Sequence, residues 1–71
     1  MNGTDYDPAL LKSLRARTGM SQGEVGRKIG RHWVTVWRAE AGEVASYDLL
    51  KRITALYGLP VQTVLRSNGA S

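Results

Sequence analysis

A glycine between two short helical patterns constrains the fold of this chain more than any other feature. Residues 20–42 read MSQGEVGRKIGRHWVTVWRAEAG, and in this segment Val25 and Ile29 lie four residues apart, as expected for the buried side of a helix. Gly30 follows directly and can adopt a left-handed backbone conformation without a Cβ clash, so it can end one helix and turn the chain sharply into the next. The pattern predicts two helices joined by a tight turn, over about residues 21–41.

Helix signals also lie on both sides of this segment. Asp7-Pro8 predicts the start of a first helix, because aspartate is a good N-cap and proline is favoured at the first helical position. This helix should end near Gly19. Ser46 is expected to open a fourth helix that Gly58 ends, and Pro60 to begin a last short one.

The complete pattern predicts an all-α fold, namely a compact arrangement of five helices without a sheet. No stretch alternates apolar and polar residues as a half-buried strand would. Since the chain has 71 residues, we expect one domain over residues 1–71, with a core small enough to profit from dimerisation. Residues 1–6 and 67–71 are expected to fray.

Basic residues are concentrated in the middle of the chain. Between residues 12 and 38, seven of them stand against Glu24 alone: Lys12, Arg15, Arg17, Arg27, Lys28, Arg31 and Arg38. A positive surface that coincides with two helices and a sharp turn is typical of a protein that binds nucleic acid. The alternative is an ordinary solvated helix surface.

Residue types that other functions need are scarce. The chain has one histidine and no cysteine, so we expect no metal site, no catalytic residue and no enzymatic activity. The glycines form no phosphate-binding loop, and no cofactor or small-molecule ligand is expected. No apolar run is long enough to span a membrane and no signal peptide is recognisable, which favours the cytoplasm of a bacterial or phage-infected bacterial cell.

Five short motifs occur along the chain in a characteristic order. They are Leu11-x-x-Leu14-Arg15, Gly19-Met20-Ser21-Gln22-x-Glu24, Ile29-Gly30, Thr35-Val36-x-Arg38-x-Glu40-x-Gly42 and Leu56-Tyr57-Gly58-Leu59. At this spacing they resemble the Cro/CI-type, lambda repressor-like family of helix-turn-helix DNA-binding proteins, from about Leu11 to Leu65. The resemblance implies a sequence-specific transcription regulator, a repressor by default. Such a protein binds a pseudo-palindromic operator as a homodimer, with its third helix in the major groove of double-stranded DNA.

The resemblance also implies which residues contact DNA. Base contacts are expected on the third helix, from Trp33, Val34 and Arg38, with Thr35 and His32 nearby. Phosphate contacts are expected from Ser21, Gln22, Lys28, Arg31, Trp37, Ser46 and Tyr47. Several assignments stay open at this point. Arg38 can contact either guanine or phosphate, and Gln22 can contact phosphate or simply follow the start of a helix. Lys28 and Arg31 can contact phosphate or belong to an ordinary solvated surface.

Two further sets of residues have roles within the protein itself. In the family, the positions of Arg15 and Glu40 form a partly buried ion pair between the first and third helices. The homodimer contact implicates the last connection of the chain, at Leu59, Pro60, Val61 and Thr63. Val61 is equally interpretable as a core residue.

Trp33 and Trp37 depart from the family, which usually has polar residues there. They lie four residues apart, hence on one side of the helix. The rings can pack on DNA, bind a protein partner as exposed tryptophans often do, or cover the small Gly26 in the preceding helix. The second possibility defines an alternative function: a protein-interaction module, such as a repressor antagonist or an antitoxin, that uses the Trp33/Trp37 face.

Overall fold

Residues 4–66 are described by the structure, a computed structural model, and they form four α-helices followed by one turn of 3-10 helix. The elements are α1 (Pro8–Thr18), α2 (Gln22–Ile29), α3 (Trp33–Glu40), α4 (Tyr47–Leu56) and the 3-10 turn Val61–Thr63. Within these residues the only β-type pairing is one isolated bridge. The all-helical prediction is therefore confirmed, whereas the number of five helices is not. The predicted tail at residues 67–71 lies outside the described part of the chain.

The fifth helix expected after Pro60 is replaced by the single 3-10 turn Val61–Thr63. Two of the residues in this stretch, Val61 and Thr63, are β-branched and lose side-chain freedom in a helix. Beyond the turn the chain runs back toward its own N-terminus, where Leu65 forms the isolated bridge with Tyr6. This long-range pairing ends the helical conformation before a full α-helical turn can form.

The N-terminal segment is docked from Thr4 onward, so the predicted fraying of residues 1–6 is wrong for its second half; residues 1–3 are not described. The Thr4 amide donates a hydrogen bond to a carbonyl in the loop after α3, at 3.0 Å. Tyr6 is 6% exposed, and its hydroxyl lies 2.6 Å from the Ala39 carbonyl oxygen and 2.7 Å from that of Glu43. Burial and the Glu43 carboxylate raise the pKa of Tyr6, which keeps this hydroxyl protonated as a donor to the end of α3.

The core fills the space between α1, α2, α4 and the inner side of α3. Its buried hydrophobic members are Tyr6, Leu11, Val25, Ile29, Val36, Ala39, Ala45, Leu50, Ile53, Val61 and Val64. α3 packs on both α1 and α2, and α2 also packs on α4. This packing covers the inner side of α3 and leaves the opposite side of the helix uncovered. Each helix of residues 4–66 is too short or too polar to cross a membrane.

The turn between α2 and α3 depends on two glycines. Gly30 has a φ of +74°, the left-handed conformation that the sequence predicted. The Arg31 amide donates a hydrogen bond to the Gly26 carbonyl at 2.8 Å, which closes the end of α2. A Cβ on Gly26 would lie 2.8 Å from the Arg31 carbonyl oxygen and 3.2 Å from the Trp33 amide nitrogen. The atoms nearest to this position therefore belong to the backbone of the turn.

Gly26→Ala is expected to destabilise the protein, although alanine favours a helix over glycine by about 1 kcal/mol. The added Cβ meets backbone that cannot move aside, and overpacking of this kind costs about 1–3 kcal/mol. Gly23→Ala is the matched control, because the atom nearest to its Cβ is Ser21 Oγ at 3.8 Å. Urea unfolding should show a lower free energy of unfolding for Gly26→Ala and a free energy of unfolding raised by up to about 1 kcal/mol for Gly23→Ala. An equal gain for both would contradict the tight packing of the turn.

Candidate nucleic-acid interface

α3 presents one side to the core and the opposite side to solvent. Val36 and Ala39 are 0% and 1% exposed. A helical repeat of about 3.6 residues places Val34 and Arg38 opposite this buried side. The structure agrees, because the Arg38 side chain is 63% exposed and Val34 is partly exposed. These two residues therefore form the centre of the outward face, and Thr35, partly exposed, lies on one flank of it.

Trp37 lies on the other flank of this face and is 48% exposed, while Trp33, at the first position of α3, is 47% exposed. In the described part of the chain, the exposed large hydrophobic side chains are Trp33, Trp37, Val44 and Tyr47. All four occur in α3, in the loop after it or at the start of α4. Trp37 also lines a shallow hollow with Lys12 and Gln22. The exposed large hydrophobic side chains are thus concentrated in α3 and the residues that follow it in the chain.

His32 is the N-cap of α3, and its Nδ1 accepts a hydrogen bond from the Val34 amide at 3.2 Å. In a neutral imidazole this bond places the proton on Nε2. His32 can therefore approach DNA as a donor through Nε2–H, next to the Trp33 ring, whose centroid lies 5.8 Å from that of His32.

The N-terminus of α2 is suited to hold an anion. Ser21 Oγ accepts from the Glu24 amide and Glu24 Oε1 accepts from the Ser21 amide, each at 3.1 Å, which is a complete capping box. Among the hydrogen bonds of residues 4–66, none uses the amides of Gln22 and Gly23. Free amides and the positive end of the helix dipole together favour a phosphate here.

The Gln22 side chain has a second role that the sequence did not reveal. Its Nε2 donates a hydrogen bond to Glu40 Oε1 at 3.0 Å, so the side chain ties α2 to the end of α3. One amide proton of Nε2 is engaged in this way. A phosphate near Gln22 would therefore rely largely on backbone amides, with the side chain setting the distance between the two helices.

α2 precedes α3 in the chain, and the N-terminus of α4 follows it after a short loop. Ser46 is its N-cap and accepts from the Leu49 amide at 3.1 Å, and Tyr47, the first helical residue, is exposed. Asp48 follows in the first turn and pairs with Arg52 at 2.9 Å. The Asp48 carboxylate reduces the attraction of this terminus for phosphate, so Ser46 and Tyr47 would act mainly through their hydroxyl groups.

Arg15 and Glu40 are brought together as a bidentate pair. Arg15 Nε lies 2.6 Å from Glu40 Oε2 and Arg15 Nη2 lies 3.1 Å from Oε1, while Nη1 donates to the Met20 carbonyl at 3.0 Å. The side chains are 15% and 3% exposed. Hydrogen bonding to Glu40 raises the pKa of Arg15, and burial, with the Glu40 charge, raises the pKa of Tyr57 to about 12. Arg15 is thus engaged inside the protein rather than presented to DNA.

The basic side chains near α3 are exposed. Lys28 and Arg31 lie on the solvent side of α2 and of the turn. Arg38 Nε lies 3.8 Å from Glu43 Oε1, and this pair is open to water on both sides. Exposed pairs of this length contribute little energy, so Arg38 is free to turn toward another acceptor.

The residues expected at a dimer contact are only partly accessible. Val61 is 6% exposed and belongs to the core of the monomer, because the 3-10 turn directs its side chain inward, so little of it is accessible to a second copy. Leu59 and Thr63 line an open groove of about 500 Å³ between α1 and the segment after α4. Pro60 is exposed beside it.

Among residues 4–66, no three histidine, cysteine or acidic side chains come together in a way that could hold a metal ion.

Comparison with known families gives one match. A family model described as a helix-turn-helix domain matches residues 9–66, which is most of the chain. No curated protein and no solved structure matches the chain.

Proposed function

Because the chain belongs to the helix-turn-helix domain family and is thereby a DNA-binding domain, we propose that it is a sequence-specific transcription regulator that represses by occupying an operator. In this proposal, α3 lies in the major groove and reads base edges with Trp33, Val34 and Arg38, assisted by Thr35 and His32. The operator is pseudo-palindromic and is bound by a homodimer with its two α3 helices about 34 Å apart. No enzymatic reaction, cofactor or small-molecule ligand is part of the proposal.

The observation that carries this proposal is the uncovered side of α3 between two capped helix starts. Val34 and Arg38 point away from the core, while Ser21 and Ser46 cap helices that begin before and after α3. Phosphates held at such helix starts fix the register of a protein on the duplex, and the outward side chains between them can then contact bases. Lys28, Arg31, Trp37 and Tyr47 complete the proposed phosphate contacts.

The groove beside Leu59 supports the homodimer. Leu10, Leu14, Tyr57 and Leu59 line it, together with the polar residues Arg17, Thr18 and Thr63. A small domain gains stability when a second copy covers such a surface. Leu59, Pro60 and Thr63 remain the proposed contact residues.

A second candidate function is supported by the two exposed indoles. Trp33 and Trp37 are each about half exposed, and tryptophan is enriched in the cores of protein interfaces. A protein-interaction module that presents this face to a partner, as an antitoxin or a repressor antagonist would, keeps the same fold. Either function is proposed to operate in the cytoplasm of a bacterial cell.

The salt dependence of binding separates the two functions. A dimer that neutralises about six phosphates should lose about 1,000-fold in duplex affinity between about 50 and 200 mM salt, because counterions are released on binding. A contact built on Trp33 and Trp37 buries apolar surface and should change little over this range. Fluorescence anisotropy with labelled duplexes measures the slope. If no duplex binds at low salt, the regulator proposal is wrong.

A further inference from the structure

We propose that the outward face of α3 reads the C5-methyl group of thymine, so that each half-site carries a thymine opposite Val34 and a guanine opposite Arg38, about two base pairs away. The proposal rests on the function proposed above and goes beyond it by naming the class of base edge that the domain selects. The proposal follows from the hydrogen-bond donors and acceptors on α3, the position of Val34 and the distance between Val34 and Arg38.

The side chains on the DNA-facing side of α3 are rich in donors and poor in acceptors. Arg38, the indole N–H groups of Trp33 and Trp37, and His32 Nε2–H can only donate. His32 Nδ1 already accepts from the Val34 amide at 3.2 Å. Among these side chains and Thr35, the Thr35 hydroxyl is the only acceptor left. A face of this kind is poorly suited to the amino groups of adenine and cytosine, and well suited to the acceptors of guanine and thymine.

Val34 adds a requirement that hydrogen bonding alone does not set. It stands at the centre of the outward face, opposite the buried Val36 and Ala39, and offers only methyl groups. Against a polar base atom it would displace water without replacing its hydrogen bonds, which costs affinity. The C5-methyl of thymine is the apolar group on the major-groove edge of the four bases, so it is the feature that Val34 can contact favourably.

The spacing between Val34 and Arg38 sets the spacing between the two bases that they contact. Val34 and Arg38 are four residues apart on one helix face, which corresponds to about 6 Å along the helix axis. Successive bases on one strand are about 3.4 Å apart, so the two contacts fall about two base pairs from one another. Arg38 can present two donors to O6 and N7 of guanine once it turns from Glu43, which lies 3.8 Å away.

The test replaces thymine by deoxyuridine, which removes only the methyl group, at each position of a duplex enriched from a random pool. At one position per half-site, the affinity of the full chain should fall about fourfold, the value expected for loss of one buried methyl contact. Val34→Ser, which has no methyl group, should bind the thymine and deoxyuridine duplexes equally. Arg38→Ala, which leaves Val34 in place, should bind more weakly but keep the fourfold difference.

The outcomes are distinguishable from a failure of the proposed function. Sequence-selective binding without any deoxyuridine-sensitive position would overturn the methyl proposal and leave the regulator function standing. Retention of the deoxyuridine effect in Val34→Ser would also overturn it, because another residue would then make the methyl contact. Absence of sequence-selective binding altogether would remove the proposed function itself. Circular dichroism of both variants should show an unchanged fold, since neither residue belongs to the core.

Discussion

Arg15→Met is expected to lower the free energy of unfolding by about 3–5 kcal/mol, the cost of stranding one partner of a buried ion pair. Glu40 is only 3% exposed and would keep a single hydrogen bond, from Gln22 Nε2. The loss is large for a domain whose total stability is roughly 4–11 kcal/mol. The thermal midpoint should therefore fall by more than about 10 °C, measured by circular dichroism.

Two controls separate charge burial from a general loss of contacts. The double variant Arg15→Met/Glu40→Leu should recover much of the lost stability, because an apolar pair of similar volume carries no uncompensated charge. Arg52→Ala breaks the exposed pair with Asp48, whose N–O distance is 2.9 Å, and should cost about 1 kcal/mol or less. If Arg15→Met costs no more than Arg52→Ala, the ion pair does not hold α1 and α3 together.

Arg38→Ala is expected to reduce the affinity of the homodimer for the selected operator by about 30-fold or more, because each of the two subunits loses a guanine contact, while affinity for random duplexes changes much less. The reason is that a bidentate contact to guanine is worth about 1–3 kcal/mol only where the guanine is present. Glu43 lies 3.8 Å from Arg38 in an exposed ion pair, and such a pair contributes too little energy to keep Arg38 from contacting a guanine.

Lys28→Ala is the matched control for this measurement. Lys28 is exposed on α2 and is not part of α3, and its proposed partner is a phosphate. Its removal should weaken binding to operator and random duplexes by the same factor and lower the salt slope of the homodimer by about two, one for each subunit. Equal losses on both duplexes for Arg38→Ala would show that Arg38 contacts phosphate and not a base.

The helices could be predicted closely because their signals are local. Asp7 and Ser21 cap α1 and α2 through side chains that accept from amides three residues ahead, and Gly30 ends α2 in the left-handed conformation. His32 looked like a weak start for α3, yet its Nδ1 caps the helix. Periodicity and capping residues contain this information within a few positions of the chain.

The parts that were missed depend on contacts between distant residues. Tyr6 reaches the Ala39 carbonyl across 33 residues, and no local pattern marks a lone tyrosine in a polar segment. The same holds for Leu65, whose bridge to Tyr6 ends the last helical stretch. Val61 could be interpreted as a dimer-contact or as a core residue, because its position in the chain does not say on which side of a short turn the core lies.

In the candidate interface, too, features set by local spacing could be predicted, and features set by contacts between distant residues could not. That Val34 and Arg38 share the side opposite Val36 can be predicted from spacing on a helix, since the helical repeat alone decides it. The hydrogen bond from Gln22 to Glu40 was not predicted, because it joins two elements whose relative position the sequence does not state. The family resemblance pointed to Arg15 and Glu40, which are 25 residues apart and are joined in the structure.

Selection of bound duplexes from a random pool by the full chain tests most directly whether the outward face of α3 reads base edges. We expect enrichment of an inverted repeat whose half-sites are about one helical turn apart, each with a thymine and a guanine spaced as Val34 and Arg38 require. Recovery of duplexes without any shared sequence, or of none at all, would contradict the account.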